Sequence, residues 1–101
     1  MTNCFSYLKS SKLQSFASYP YTGKASACQY NSAQGVVGVN SYTEIKSGDV
    51  NAMLNAVARQ PLAVGVASSS GSFFSYKSGI LDTTGCGTKL THAVNIIGYG
   101  T

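Results

Sequence analysis

Apolar residues in the central part of the 101-residue chain recur with the period of an α-helix. Four of them fall at the spacing i, i+3, i+4 and i+7 that marks one helical face: Val50, Met53, Leu54 and Val57. Asp49 precedes them and is typical of a helix N-cap, because its carboxylate accepts amide protons of the first turn. Pro61 ends the pattern, so a helix of about three turns is predicted here. A shorter apolar stripe with Phe5 and Leu8 predicts another helix over residues 2–9.

Alternating residues predict strands before and after the central helix. Four segments have this pattern or an apolar run of strand length: residues 36–46, 62–67, 77–81 and 89–99. In the second segment large residues alternate with small ones, the large being Leu62, Val64 and Val66 and the small Ala63, Gly65 and Ala67. A face of small residues meets either packed backbone or a bulky ligand side chain, and the pattern alone favours packing. Segments rich in Gly, Ser, Thr and Asn predict loops over residues 22–34, 68–72 and 82–88.

The composition is that of a globular chain with few charges. Hydrophobic residues make up 44% of the chain and charged residues 10%, where an average domain has about a quarter charged. The net charge of +4 comes from basic residues spread along the chain, and a nucleic-acid groove would need them clustered. No apolar run approaches the length of a membrane span. We therefore expect neither a nucleic-acid partner nor a membrane partner, and the many neutral polar residues suit a secreted or vesicular protein.

The single histidine, His92, is the first candidate for chemistry. It lies in the apolar run that predicts the last strand, and that run ends in Gly98 and Gly100. An imidazole takes and gives a proton near neutral pH, and a strand holds a side chain in the fixed geometry that catalysis needs. A lone histidine in an apolar strand is nevertheless more often a hydrogen-bonded structural residue. The pattern alone therefore leaves both roles open.

Four segments, in order along the chain, carry a resemblance to one known family. They are Tyr19-Pro20-Tyr21-Thr22-Gly23 with Cys28; Ala56-Val57-Ala58-Arg59-Gln60-Pro61 with the strand 62–66; Phe73-Phe74-Ser75-Tyr76-Lys77-Ser78-Gly79-Ile80-Leu81; and Cys86-Gly87 with Leu90-Thr91-His92-Ala93-Val94 and Gly98-Tyr99-Gly100. Together they resemble papain-like cysteine peptidases, the cathepsin L group in particular. Because the four motifs keep their order and cover nearly the whole chain, the resemblance is far more specific than any one motif.

The resemblance implies a fold and a reaction. The fold would be α+β, mostly an antiparallel β half-barrel (the right-hand domain of the papain-like fold) with a short N-terminal helix and one central helix. Residues 1–18 would be a remnant of the helical left-hand domain, and residues 19–101 part of the β-rich right-hand domain. The reaction would be peptide-bond hydrolysis through a thiolate–imidazolium pair, without a cofactor. His92 matches the general base, and three residues match the wall of the main specificity pocket: Gly65, Leu90 and Ala93.

Two parts of the family pattern do not occur within residues 1–101. The nucleophile motif Gln-x-x-x-Cys-Gly-x-Cys-Trp and the segment Asn-Ser-Trp-Gly, whose Asn orients the histidine, are both missing, and the chain has no Trp. Thr91 also stands where members often carry Asp or Asn. We therefore expect an internal piece of a peptidase that supplies the base and is inactive by itself. The alternative is a non-catalytic peptide-binding protein or an inactive truncated homologue.

The remaining candidate side chains are assigned no catalytic or metal-binding role. By resemblance, Cys28 and Cys86 pair with cysteines upstream and downstream of this segment, so no bridge between them is expected. Cys4 is predicted to be a buried free thiol on the first helix, and it lacks the Gly-x-Cys-Trp setting of the nucleophile. A zinc site formed by the cysteines and His92 is not expected, because the chain contains no Cys-x-x-Cys pair. Asn95 is excluded as the orienting group because, three residues from His92 on a strand, it projects from the opposite face.

The resemblance also implies partners and a location. The partners would be a peptide or protein substrate and, as regulators, a propeptide or cystatin-type inhibitors. The location would be lysosomal, vacuolar or secreted.

Overall fold

The computed structural model describes residues 1–100 of the chain. These residues form two compact units, of which the first spans Met1–Glu44 and the second begins at Ile45. The domain boundary predicted at residue 18 refers to a complete peptidase, whereas these units are those of this chain by itself. That boundary therefore stays a prediction.

The first unit contains one helix and one small antiparallel sheet. Helix α1 spans Thr2–Leu8 and confirms the helix predicted over residues 2–9. Strands β1 (Leu13–Gln14) and β2 (Gly35–Val37) pair antiparallel, with a 3₁₀ turn at Ser32–Gln34 just before β2. The strand predicted over residues 36–46 is wrong beyond Val37. Strand β1 offers only two residues to pair with, and beyond β2 the Val39 amide donates to the Leu8 carbonyl oxygen instead.

The second unit contains the predicted central helix. Helix α2 spans Val50–Val57, and Asp49 Oδ1 accepts the amide proton of Ala52 over 2.9 Å, which confirms the predicted cap. The chain then enters strand β3 (Leu62–Val66), as predicted. Strand β4 spans His92–Ile96, so it is shorter than the predicted 89–99. It pairs with β3 in an antiparallel ladder of five residue pairs.

The segment between these two strands differs from its prediction. Helix α3 (Gly71–Phe74) begins inside the predicted loop 68–72, because Ser70 Oγ accepts the amide proton of Phe73 and caps it. The strand predicted over residues 77–81 is wrong. Gly79 has a φ of 80°, a left-handed conformation that breaks an extended chain, and its carbonyl oxygen accepts the hydroxyl proton of Tyr76. A 3₁₀ turn at Thr84–Cys86 follows.

The described residues therefore form a mixed fold of short helices and antiparallel strands, with two small sheets and no closed barrel. The half-barrel implied by the resemblance stays a prediction. Among the described residues, no helix has the length and hydropathy needed to cross a membrane.

Very little apolar surface is buried in either unit. Val57, which is 8% exposed, forms the buried core of residues 1–100. Several large apolar side chains are almost fully exposed, among them Ile80 at 90% and Ile97 at 84%. Cys4 is exposed as well, so the prediction of a buried thiol is wrong. Helix α1 buries none of its residues, and the side of the helix that carries Cys4 therefore stays open.

Candidate active site

The candidate base lies at the end of the β3–β4 ladder. His92 is the first residue of β4 and pairs with Val66, the last residue of β3. The residue before the strand is held by one further bond, since the Thr91 amide donates to the Val66 carbonyl oxygen over 3.0 Å. The backbone on both sides of His92 is therefore fixed by hydrogen bonds, while its side chain is exposed. A histidine in this position is accessible from solvent and held on a regular element.

The three residues assigned to the specificity pocket are brought together next to this pair. Gly65 and Ala93 are cross-strand partners in the register, so they share one face of the ladder. Leu90 approaches the same point from the loop before β4, with its Cδ1 3.0 Å from where a Cβ on Gly65 would lie. Leu90 is 67% exposed and Ala93 is exposed. These side chains, together with the bare backbone of Gly65, form an apolar surface without a charge.

The ladder places His92 and this apolar surface on different faces. Neighbouring positions on a strand project to opposite sides, so His92 and Val66 share one face while Ala93 and Gly65 share the other. His92 forms the last residue pair of the ladder and lies one register step from the Gly65–Ala93 pair. Asn95 pairs with Ala63, three steps along β4 from His92 and on the opposite face, which agrees with its exclusion as the orienting group.

A cluster of hydroxyl groups surrounds the residue before the candidate base. Thr91 Oγ1 lies 3.1 Å from both the amide nitrogen and the Oγ of Ser68, and 3.2 Å from the Oγ of Ser69. Sequence reasoning noted Thr91 but missed both serines. The only sequence clue was a run of serines that begins two residues after β3, the strand that pairs with His92.

The same serine run reaches the half-buried Cys86. Ser70 Oγ lies 3.8 Å from Cys86 Sγ, and both Cys86 and Cys28 are free thiols here. Within the described part of the chain, no three His, Cys, Asp or Glu side chains come close enough to hold a metal ion. The expectation that no cofactor is needed stays a prediction.

Comparison with known proteins identifies the family of the chain. The family profile described as "Papain family cysteine protease" matches residues 1–101. Cathepsin S of Mus musculus is 38% identical over 103 residues, which cover 100% of this chain and 30% of that protein. A cathepsin L-like proteinase of Fasciola hepatica is 41% identical over 103 residues, again 100% of this chain and 31% of the relative.

A plant relative extends the comparison. Papaya proteinase 4 of Carica papaya is 41% identical over 85 residues, which are 83% of this chain and 24% of that protein. The chain thus spans about 30% of the length of the cathepsins it matches. Since the family profile covers all of residues 1–101, the chain belongs to the papain family of cysteine proteases.

Proposed function

We propose that the chain is part of a papain-like cysteine endopeptidase and that His92 is its general base. The observation that carries this proposal is the position of His92 at the end of the β3–β4 ladder, exposed and one register step from the Gly65–Ala93 pair. An acid–base group beside an apolar surface is what a peptidase needs to activate a nucleophile and to hold a substrate side chain at the same time.

The chemistry assigned to His92 is a proton relay. The imidazole takes the proton of a cysteine thiol, and the resulting thiolate attacks the carbonyl carbon of the peptide bond. The imidazolium then gives its proton to the leaving amine, which leaves a thioester between the cysteine and the acyl half of the substrate. Water, deprotonated by the same imidazole, hydrolyses the thioester and restores the thiol. The cysteine itself would be contributed by a segment of the peptidase outside residues 1–101.

The apolar surface next to His92 would select the substrate. Gly65, Leu90 and Ala93 would form part of the wall of a pocket that accepts an apolar or aromatic side chain. The approach of Leu90 to Gly65, where an added Cβ would lie 3.0 Å from Leu90 Cδ1, supports this assignment, as does the absence of any charged group among the three. Without a side chain at Gly65, the pocket would be roomier than one with Val at the same position.

The chain would act as a section of a larger peptidase. We place residues 1–18 in its helical domain and residues 19–101 in a β-rich half-barrel. The exposed apolar residues support this placement, because covering side chains such as Ile80 and Ile97 with other parts of a protein would add to its stability. The chain alone, with a base and no nucleophile motif, would be inactive.

The proposed partners and location are those that the family resemblance implies. The substrate would be a peptide or protein, and a propeptide or cystatin-type inhibitor would bind at the same site. The seven basic residues are spread along the chain, which argues against a nucleic-acid partner. We assign the peptidase to the lysosome, the vacuole or the secreted proteins.

The test compares two variants of strand β4 in the full-length protein that contains this chain. His92→Ala should abolish the hydrolysis of a peptide amide with an apolar residue second from the cleaved bond. Asn95→Ala is the matched control, because Asn95 is exposed on the same strand but on the opposite face. It should keep most of the turnover. Substantial turnover by His92→Ala would refute the proposed function.

A further inference from the structure

We propose that Thr91 is a positioning residue, whose side-chain hydroxyl fixes the start of β4 and thereby the orientation of His92. The inference rests on the proposed function, since it assigns a role to Thr91 only if His92 is the base. It concerns the hydroxyl cluster of Thr91, Ser68 and Ser69.

The cluster uses the full hydrogen-bonding capacity of the Thr91 hydroxyl. A hydroxyl group has one proton to donate and two lone pairs that accept. Thr91 Oγ1 accepts the amide proton of Ser68 over 3.1 Å and the hydroxyl proton of Ser69 over 3.2 Å. Its own proton is then left for Ser68 Oγ at 3.1 Å. All three bonds form without competition, and an apolar side chain at position 91 could form none of them.

These bonds join the two strand ends that meet at His92. Ser68 and Ser69 follow β3, and Thr91 immediately precedes β4. The Thr91 backbone adds a fourth bond to the same region, since its amide donates to Val66 over 3.0 Å. The residue before His92 is therefore tied to the β3 end through both its backbone and its side chain. On the other side of His92, the ladder continues through Ala93 and Gly65.

The cluster is better suited to geometry than to stability. Thr91 and Ser69 are exposed, and water replaces exposed hydrogen bonds at little net cost in folding free energy. A base that is displaced even slightly from its nucleophile, in contrast, loses rate steeply. Loss of the Thr91 hydroxyl should therefore affect the rate per active site more than the melting temperature.

The experiment measures kcat and KM on a peptide amide with the full-length protein that contains this chain. Active sites are counted with a thiol-directed covalent inhibitor, so that misfolded molecules do not lower the apparent rate. Thr91→Val keeps the shape of the side chain and removes the hydroxyl, whereas Thr91→Ser keeps the hydroxyl. We expect Thr91→Val to lower kcat per titrated site by about tenfold with a change in KM of less than about twofold. Thr91→Ser should return kcat to within about twofold of the original enzyme.

A second pair of variants covers the case in which Thr91→Val does not fold. Ser69→Ala removes a single exposed bond to Thr91, and we expect it to lower kcat per site by about threefold. Asp49→Ala is the control for simple destabilisation, because it removes the cap of α2 and touches none of the cluster. It should lower the melting temperature and leave kcat per titrated site unchanged.

The outcomes separate this inference from the function on which it rests. An unchanged kcat per site in Ser69→Ala, or in a folded Thr91→Val, would overturn the positioning role, and so would a Thr91→Ser variant as slow as Thr91→Val. If His92→Ala is inactive in the same assay, only the positioning role then fails. If His92→Ala remains active, the proposed function fails and the positioning role fails with it.

Discussion

A Cβ added to Gly65 would lie 3.0 Å from Cδ1 of Leu90, closer than ordinary van der Waals contact. The backbone at Gly65 does not require glycine, because its φ is not among the positive values of the chain. The missing side chain instead leaves room beside Leu90. Since Leu90 is 67% exposed, it is free to rotate away from a larger residue. Position 65 is therefore open to substitutions that change the space above the ladder and keep the fold.

Gly65→Val in the full-length peptidase should narrow the proposed pocket. The added methyl groups and the displaced Leu90 side chain would occupy space that a large substrate side chain needs. We expect kcat/KM for a substrate with Phe at the selected position to fall more than for one with Leu, by about 1–3 kcal/mol of discrimination. Gly65→Ala, which adds one carbon, should give a smaller effect in the same direction. Equal losses for both substrates would mean that Gly65 serves packing and not a pocket.

Local sequence features predicted the elements that depend on neighbouring residues. Helix α2 begins where it was predicted because the signals for it, the cap at Asp49 and the apolar spacing, are local, although it ends at Val57 and is shorter than the predicted three turns. Strand β3 was predicted for the same reason, from alternation within a few residues. The local pattern could not assign a role to His92, because it is also typical of a structural histidine. Only the family resemblance favoured catalysis.

Features that depend on distant residues were not predicted. Residues 77–81 have a strand-like composition but no partner strand, and the φ of 80° at Gly79 turns the chain. The hydroxyl cluster was missed because Ser68 and Thr91 are 23 residues apart and meet only through the register of β3 and β4. Cys4 was predicted to be buried from its apolar neighbours, yet a helix buries a residue only where something packs against it.

The isolated 101-residue chain should not unfold cooperatively. Val57 alone among the described residues is buried, while large side chains such as Ile80, Phe74 and Tyr21 are 79% exposed or more. Burial of such a side chain stabilises a fold by about 1.5–3 kcal/mol. The isolated chain lacks this contribution to its folding free energy at many positions. We expect a broad thermal transition by circular dichroism and strong binding of a hydrophobic dye. A sharp transition without dye binding would contradict this expectation.

The same isolated chain should show no thiol-dependent hydrolysis of a peptide amide. It carries the candidate base but no nucleophile in the family's sequence context. The measurement compares hydrolysis with and without a thiol-directed covalent inhibitor. Cys4 is exposed, so Cys4→Ala is the control variant. Inhibitor-sensitive hydrolysis that disappears in Cys4→Ala would show that this cysteine acts as a nucleophile.

His92→Ala in the full-length peptidase should separate a catalytic from a structural histidine by its effect on the nucleophile. An imidazolium beside the cysteine lowers the pKa of the thiol, so its removal should raise that pKa toward the value of a free thiol. The rate of alkylation as a function of pH measures this change directly. Because His92 is exposed, the melting temperature should change little. A structural histidine would instead leave a buried partner without a hydrogen bond, at a cost of about 1–3 kcal/mol. A variant that keeps a reactive, low-pKa thiol but melts several degrees earlier would therefore contradict the assignment of His92 as the base.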